Sequence, residues 1–374
     1  DGTQRHIGHN RSRTVAVEME DIMRAVAVME PNKVQMVTDV PMPVIGDYQA
    51  LVRVRACGIC SSTDLKIVHH EHPESSFFKF VYPTILGHEA VGEIVELGPK
   101  VRYLKVGDRV VSPLPSGMRD ANSKYTNSYG QMAEYLTATD IRAMKEDGVT
   151  GEGLFMRFDE IDYLTKVFPK EISFVDAAMM LTFKENYSAL INFGVKEGMD
   201  VLIFGDGSVA MGLSYQLKAY NVNSVVVIGH HDDRLERIKK VSSPNILINS
   251  HSESPEEVLK DRRFDIVIDA VGKVEIIKRG ARFLKPGGKV CVYGVLAEGK
   301  STIDLYELPN NVSVHIMSYP YREHRTHDTI VRMMLDGTLK ASDFYDVVLP
   351  VERCAEAIRM LEQRKAFKVI LTWD

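Results

Sequence analysis

The stretch VLIFGDGSVA occupies residues 201–210 and decides the fold. Its first four residues are wholly apolar, as in a short strand that is buried on both faces of a sheet. The turn that follows has the pattern G-x-G-x-x-A. The first glycine permits a tight turn, the second lets the backbone approach a pyrophosphate, and a small third residue lets helix and strand pack closely. We therefore assign Gly205, Gly207, Ser208, Val209 and Ala210 to a dinucleotide site.

Strands and helices alternate around this turn. This context favours a dinucleotide site over an ordinary tight turn. Short apolar strands that alternate with helices indicate a doubly wound parallel sheet. We predict strands at residues 224–228, 265–270, 289–293 and 369–373, and helices at 211–220, 233–241, 325–335 and 351–363.

The chain before residue 182 has a different character, rich in strands and irregular loops. Alternating or apolar segments predict strands at 23–28, 50–56, 90–97 and 109–112. Residues 1–22 are polar and without periodicity, and we interpret them as a mobile extension whose His6 and His9 are solvated. Residues 141–170 have no clear pattern and are interpreted as a loop insertion.

Composition narrows the class of protein. A length of 374 residues suggests two domains, and the formal net charge of -5 gives no reason to expect nucleic acid or an anionic membrane as partner. No apolar run could span a bilayer, and the start of the sequence lacks the apolar segment of a secretory signal. Four cysteines in so long a chain favour reduced thiols over a disulfide scaffold. We expect a cytoplasmic globular enzyme.

A candidate metal site lies in the strand-rich part. Cys57 and Cys60 form a C-x-x-C pair, which by itself fits half of a structural zinc site or a redox pair. No second pair exists, because Cys291 lies in a predicted strand and Cys354 in a predicted helix. His88 alone would be an ordinary core histidine, but next to Glu89 and with a thiolate it offers ligands for a zinc with one open position.

Four stretches carry a family resemblance: CGICSSTD (57–64), ILGHEAVGEIVELG (85–98), VGDRVV (106–111) and GDGSVA (205–210). In this order they resemble the medium-chain dehydrogenase/reductase superfamily, especially its zinc-dependent alcohol, sorbitol and threonine dehydrogenase-like members. The resemblance covers residues 23–374. It implies an α/β protein with a GroES-like, β-rich catalytic domain at 23–181 and 319–374, split around a Rossmann domain at 182–318.

The resemblance also implies roles for individual residues. Cys60 and His88 would be zinc ligands, and Glu89 a ligand or a group that contacts the ligands. Asp64 would orient His88 through its second ring nitrogen. Ser62 or Thr63 would begin a proton relay from the substrate hydroxyl, while zinc polarises the substrate oxygen and hydride passes to or from the nicotinamide.

The chain departs from the family pattern at three points. Alignment on Tyr187 puts Leu181 where relatives have a further zinc ligand, so either water or Glu185 would complete the site. One extra residue between Cys60 and Asp64 leaves the choice between Ser62 and Thr63 open. The four-cysteine structural zinc lobe of many relatives is absent, so a single zinc is expected.

The end of the second strand predicts the choice of cofactor. Gly229 stands where NAD-specific relatives have an aspartate, and it would leave room for the 2′-phosphate of NADP(H). His230, His231 and Arg234 follow and could donate to that phosphate. Two acids in the same segment, Asp232 and Asp233, would oppose it unless they only open the next helix, and the basic residues could equally be its solvated start. The sequence favours NADP(H) over NAD(H).

The sequence thus predicts a zinc-assisted, nicotinamide-dependent oxidoreductase of a small secondary alcohol or polyol and its ketone. One alternative is a zinc-free NADPH-dependent reductase of an activated alkene or quinone on the same fold. Another is a non-catalytic nucleotide-binding protein, for which the leucine at the ligand position is the one argument. Residues 312–317 read as an exposed edge strand, which predicts a homodimer or homotetramer.

Overall fold

The structure is a computed structural model that describes residues 22–71, 81–114, 123–127, 129–149, 165–296, 301–318 and 321–374. Residues 1–21 of the predicted extension and 150–164 of the predicted insertion lie outside this part of the chain. No helix within it is long and apolar enough to cross a membrane.

The described residues form seventeen strands. They are β1 (Ile22–Glu30), β2 (Lys33–Pro41), β3 (Gln49–Gly58), β4 (Thr84–Ile85), β5 (Glu89–Leu97), β6 (Arg109–Val111), β7 (Thr126–Asn127), β8 (Tyr135–Thr139), β9 (Lys166–Phe168), β10 (Asp200–Phe204), β11 (Ser224–Gly229), β12 (Ile246–Asn249), β13 (Phe264–Asp269), β14 (Leu284–Val292), β15 (Ser313–Ile316), β16 (Val347–Pro350) and β17 (Val369–Thr372).

The helices connect these strands. They are α1 (Thr63–Val68), α2 (Ile141–Glu146), α3 (Phe174–Ala177), α4 (Met180–Phe193), α5 (Ser208–Gln216), α6 (Asp232–Ser242), α7 (Pro255–Leu259), α8 (Val274–Ala281), α9 (His327–Leu335) and α10 (Cys354–Glu362). Three predicted helices were too long, because one end of each is part of a 3-10 turn, at Leu217–Tyr220, Glu323–Thr326 and Val351–Arg353.

Six strands form an all-parallel sheet in the order β12-β11-β10-β13-β14-β15. Both of its faces are covered: Val201 and Ile203 of the central strand belong to one hydrophobic core, whereas Leu202 and Phe204 belong to another. Successive side chains of a strand point to opposite faces, so a wholly apolar strand needs a core on each side. The predicted doubly wound sheet is confirmed.

A four-stranded sheet has the order β2-β1-β4-β7, and a seven-stranded sheet combines strands from residues 49–168 with the last two strands of the chain. The order of the seven-stranded sheet is β16-β17-β3-β5-β6-β9, with β8 paired to β3. The last strand lies antiparallel to β3, where Leu371 faces Cys57. On the other side of β3, Gly58 faces Glu89 of β5. This register brings the end of β3, which leads to Cys60, beside the start of β5. We propose the domain division at residues 182 and 318 because the parallel sheet lies within that range.

Gly87 precedes the start of β5 and fixes its direction. Its φ of +91° lies in the left-handed region that residues with a Cβ avoid. A Cβ at this position would also lie 2.9 Å from the backbone nitrogen of Met132 and 2.4 Å from its Cγ. The chain therefore needs glycine here in order to direct His88 and Glu89 into the interior.

Gly87→Ala tests this constraint, with Gly107→Ala as the matched control. Gly107 has nearly the same φ, +89°, but no atom within 4 Å of its would-be Cβ. We expect the control to lose roughly 1–2 kcal/mol of unfolding free energy through backbone strain alone. Gly87→Ala should lose roughly 1–3 kcal/mol more, because Met132 must move. Urea unfolding measures both, and equal losses would contradict the packing argument.

Candidate functional site

The predicted metal ligands lie together in the structure. One donor atom each from Cys60, His88 and Glu89 can be chosen so that all three lie within 4.8 Å of one another. Among the described residues no other group of three such side chains meets this criterion. Glu89 is only 4% exposed, and the other two are half-buried. A thiol, an imidazole and a carboxyl at these distances are a donor set that fits a single zinc ion.

Asp64, in the first turn of α1, holds the loop and the histidine. Its Oδ2 accepts a hydrogen bond of 2.8 Å from the backbone N–H of Cys60. Its Oδ1 lies 3.2 Å from Nδ1 of His88, although these two atoms are not aligned for a hydrogen bond. This contact leaves Nε2 on the side of Glu89, whose Oε1 is 3.9 Å away. Such a carboxylate partner is typical of metal-binding histidines.

Charges in this cluster favour the metal-binding thiolate of Cys60, and they also favour a protonated His88, which must lose its proton before it can bind a metal. Burial alone would raise the pKa of the Cys60 thiol, but the hydrogen bond and charge of His88 outweigh it, so that this pKa is lowered. Burial would likewise lower the pKa of His88, but the carboxylate of Asp64 and the thiol of Cys60 raise it well above its usual value. The pair therefore favours a thiolate, which is the form that coordinates zinc.

Glu89 is tied to two further elements. Its Oε2 forms a buried ion pair with Nζ of Lys368, just before β17, and its Oε1 accepts a hydrogen bond of 3.2 Å from the hydroxyl of Thr182 on α4. Gly58 leaves room for this carboxylate, because a Cβ there would lie 2.2 Å from Oε2. Both carboxylate oxygens thus have protein partners, while Oε1 still faces the metal ligands.

The two candidates for the proton relay differ in exposure. Ser62 is exposed, whereas Thr63 is half-buried and its backbone N–H lies 3.4 Å from Sγ of Cys60. Thr63 also directly precedes Asp64. These contacts favour Thr63, and the assignment of either residue stays a prediction.

Leu181 and Glu185 lie one turn apart on α4. Leu181 is buried and cannot bind a metal. Oε2 of Glu185 accepts a hydrogen bond of 3.3 Å from the hydroxyl of Tyr293, and its carboxyl is not part of the three-residue group. Burial, assisted by the charge of Glu323, raises the pKa of Glu185 to about 8. Of the two completions considered, water therefore fits this arrangement better than Glu185.

The predicted nucleotide turn is tight at its first glycine, and its binding of a dinucleotide stays a prediction. Gly205 adopts a φ of +129°, and a Cβ there would meet Ala270 and Val271 at 3.3 Å. Gly207 caps α5 without a side-chain hydrogen bond, and nothing lies within 4 Å of its would-be Cβ. Ser208, Val209 and Ala210 follow in the first turn of α5. The unpaired N–H groups of such a helix start are suited to phosphate.

The backbone at Gly229 is closely packed, and room for a phosphate beside it stays a prediction. A Cβ at Gly229 would lie 2.8 Å from Cβ of Asp206 and 2.7 Å from Cδ2 of Leu235. Asp206, the second residue of the nucleotide turn, fills the space with its own side chain. A Gly229→Asp replacement would therefore require Asp206 to move.

Asp206 also contacts the side chains of two of the three predicted phosphate donors, His231 and Arg234. Its Oδ2 accepts hydrogen bonds from the backbone N–H groups of His230 and His231, at 2.6 and 2.9 Å, and from Nδ1 of His231 at 2.9 Å. Its Oδ1 lies 3.6 Å from Nη1 of Arg234. The side chain of His230 is exposed and stacks edge-on against His251. The predicted donors lie around the turn, with Asp206 among them.

The acids of this segment belong to the helix, as the simpler interpretation held. Asp232 and Asp233 form the first turn of α6, where a negative charge is favourable. Oδ1 of Asp232 also accepts a hydrogen bond from Asn249.

Sequence reasoning missed three residues of the site: Lys368, Asp206 and Arg364. A lysine at the start of an otherwise apolar strand was the available signal for Lys368. Asp206 is the second residue of the G-x-G-x-x-A motif, a position for which the motif itself specifies no residue type. Arg364 had no signal, because its contact with His231 joins parts of the chain that are distant in sequence.

Two family profiles match the chain. The alcohol dehydrogenase GroES-like domain matches residues 46–146, and the zinc-binding dehydrogenase profile matches residues 209–335. The first match contains the candidate metal ligands, and the second begins inside the nucleotide turn.

Individual proteins are similar over most of the chain. An alcohol dehydrogenase of Geobacillus stearothermophilus is 29% identical, over 74% of this chain and 79% of its own length. Sorbitol dehydrogenase of Bacillus subtilis is 26% identical, over 76% of this chain and 79% of its own length. A solved structure described as a zinc-binding dehydrogenase of Sinorhizobium meliloti, bound to NADP, covers 94% of this chain and 99% of its own at 20% identity. Its TM-score of 0.72 supports the same fold.

Lys368→Met tests the buried ion pair. Removing one partner leaves the carboxylate of Glu89 charged and buried, so we expect a loss of about 3–5 kcal/mol in unfolding free energy. The double variant Glu89→Gln/Lys368→Met removes both charges and should recover most of that loss. Urea unfolding in the presence of a chelator gives the comparison for all three proteins. A single variant as stable as the unmodified protein would contradict the assignment.

Proposed function

The chain belongs to the zinc-dependent medium-chain dehydrogenase/reductase superfamily, and on that premise we propose that it interconverts a small secondary alcohol or polyol and its ketone. The reaction is hydride transfer between the carbinol carbon of the substrate and a nicotinamide cofactor. The observation that carries this proposal is the meeting of Cys60, His88 and Glu89, held by Asp64, in a chain that also has a dinucleotide turn. The substrate class rests on the names of the relatives.

Cys60 and His88 would hold the zinc, with Glu89 as a further ligand or as the group that contacts them. When bound, zinc supplies a Lewis acid that polarises the substrate oxygen. Asp64 orients His88, and Lys368 balances the charge of Glu89 in a buried environment. Thr63 or Ser62 would accept the hydroxyl proton, and the greater burial of Thr63 favours it.

The alternatives have less in their favour. A zinc-free reductase of activated alkenes or quinones has no use for a thiol and a histidine oriented by a buried carboxylate. A non-catalytic nucleotide-binding protein would explain Leu181 at a ligand position. The missing ligand at Leu181 is compatible with zinc binding, because Cys60, His88 and Glu89 lie together and a zinc can bind three protein ligands and water.

NADP(H) is the cofactor that we propose, over NAD(H). His230 and His231 directly follow β11, and Arg234 lies in the first turn of α6. The adenosine ribose binds at the end of this strand in such a fold. The charge of Asp206 is already balanced by two amides, a ring N–H and a guanidinium, so it opposes a phosphate less than a bare carboxylate would.

We propose a homodimer, or a tetramer built from it. β15 lies at the edge of the parallel sheet and exposes Val314 and Ile316, the latter by 61%. Leu305 and Tyr306, just before it in sequence, are also largely exposed. An apolar sheet edge is a liability that pairing with a second copy removes. Cytoplasmic location stays a prediction from composition.

The metal proposal predicts close to one zinc per chain. Cys60→Ala should lose both the metal and the alcohol-dependent reduction of the cofactor, because the remaining donors bind zinc weakly. Cys354→Ala, which removes a buried thiol at the start of α10, should keep both. Elemental analysis and cofactor absorbance measure the two quantities. Full activity in metal-free protein would contradict the proposal.

The assembly proposal predicts that Ile316→Lys yields monomers, because it places a charge in the interface between two edge strands. Val348→Lys is the matched control, since Val348 is 42% exposed on β16, an edge strand of the seven-stranded sheet. Light scattering after size exclusion separates the outcomes. A monomeric unmodified protein, or a control that dissociates equally, would refute the choice of interface.

A further inference from the structure

A basic cleft lies between the two parts of the molecule. Its volume is about 820 Å³, and its walls come from the β1–β2 hairpin, α1, α10 and the first turns of α6. Ser61, the neighbour of Cys60, lines one wall, and Arg234, the neighbour of the nucleotide turn, lines another. The cleft is therefore lined by residues that neighbour both the candidate metal site and the candidate nucleotide site.

The charge of this cleft is opposite to that of the whole chain, which is -5. Four cations line it: Lys33, Arg234, Arg359 and Arg364. One carboxylate faces them, Glu362, whose Oε1 lies 3.4 Å from Nε2 of His69. A concave surface with this excess of positive charge attracts an anion.

A chain of hydrogen bonds connects Arg364 to the nucleotide turn. Nη1 of Arg364 lies 2.6 Å from Nε2 of His231, and Nδ1 of His231 lies 2.9 Å from Oδ2 of Asp206. A guanidinium has only donors, so Nε2 accepts and the ring hydrogen is on Nδ1, which donates to Asp206. Arg364 is thereby held at the turn from the catalytic side, while Arg234 approaches the same carboxylate from α6.

We propose that Arg234 and Arg364 together bind the 2′-phosphate of NADP(H), so that each side of the cleft supplies one guanidinium. The adenosine ribose of a dinucleotide binds at the end of the second strand of such a sheet, which is β11 here. A planar guanidinium offers paired donors that match phosphate oxygens. Asp206 acts as the anchor that positions His231 and Arg234. This inference rests on the proposed nicotinamide dependence and adds a cofactor-selecting residue outside the Rossmann domain.

Equilibrium binding to the full-length protein tests the inference at fixed salt. The probes are NADPH, NADH, 2′,5′-ADP and 5′-AMP, followed by calorimetry, with no substrate present. Arg364→Ala should weaken NADPH and 2′,5′-ADP by about tenfold or more, as expected for a lost hydrogen bond to a charged group. NADH and 5′-AMP should change by less than about twofold on the same scale. Arg364→Lys should fall between, since it keeps the charge but loses the fork.

Lys365→Ala is the matched control, because it removes the neighbouring cation, which does not line the cleft. It should leave all four affinities unchanged. Equal weakening of NADH and NADPH by Arg364→Ala would overturn the inference, because the arginine would then only position the loop. Unchanged binding of NADPH and 2′,5′-ADP would overturn it as well.

Asp206→Asn distinguishes two roles of Asp206. In one it positions His231 and Arg234, as we propose, and in the other it accepts hydrogen bonds from the ribose hydroxyls of NAD(H). If Asp206 positions these residues, the variant should weaken NADPH binding more than NADH binding, because His231 and Arg234 lose their partner. Selective loss of NADH binding would overturn the inference while leaving an NAD(H)-dependent oxidoreductase in place. Failure of the unmodified protein to bind either dinucleotide would overturn the proposed function itself.

Discussion

The carboxylate of Glu89 is the group on which the arrangement of the site depends. It is buried at the start of β5, pairs with Lys368 before the last strand, and accepts a hydrogen bond from Thr182 of α4. A buried charge is costly unless it is compensated, so these three elements must meet at one point. The same point lies beside His88 and Cys60. Charge compensation and the grouping of metal donors are therefore a single constraint on how β3, β5, β17 and α4 pack.

Local sequence patterns predicted the features that depend on residues close together in sequence. The apolar strand before Gly205 and the alternation that follows it specified the parallel sheet. The spacing around Cys60 and the adjacent His88 and Glu89 specified the metal donors. Each of these signals lies within a few residues, and each strand or turn forms because its own residues require burial or a positive φ.

Contacts between distant segments could not be predicted in this way. Gly229 looked like open space because its neighbours in sequence gave no hint that Asp206, 23 positions earlier, would fill it. Lys368 directly precedes the last strand and Arg364 follows the last helix, and their partners lie in other elements. Contacts of this kind depend on how distant segments pack against one another. Local patterns in a single sequence do not reveal that packing.

We propose that this chain moves hydride between a carbinol carbon and a nicotinamide with the help of a metal held by Cys60 and His88. The most direct measurement uses secondary alcohols and polyols that are deuterated at the carbinol carbon, with mass analysis of the reduced cofactor. The account predicts that deuterium appears on the nicotinamide ring with metal-loaded protein, and that chelation or Cys60→Ala abolishes its transfer. Transfer that is unchanged in metal-free protein, or absent with every alcohol while both cofactors bind, would contradict the account.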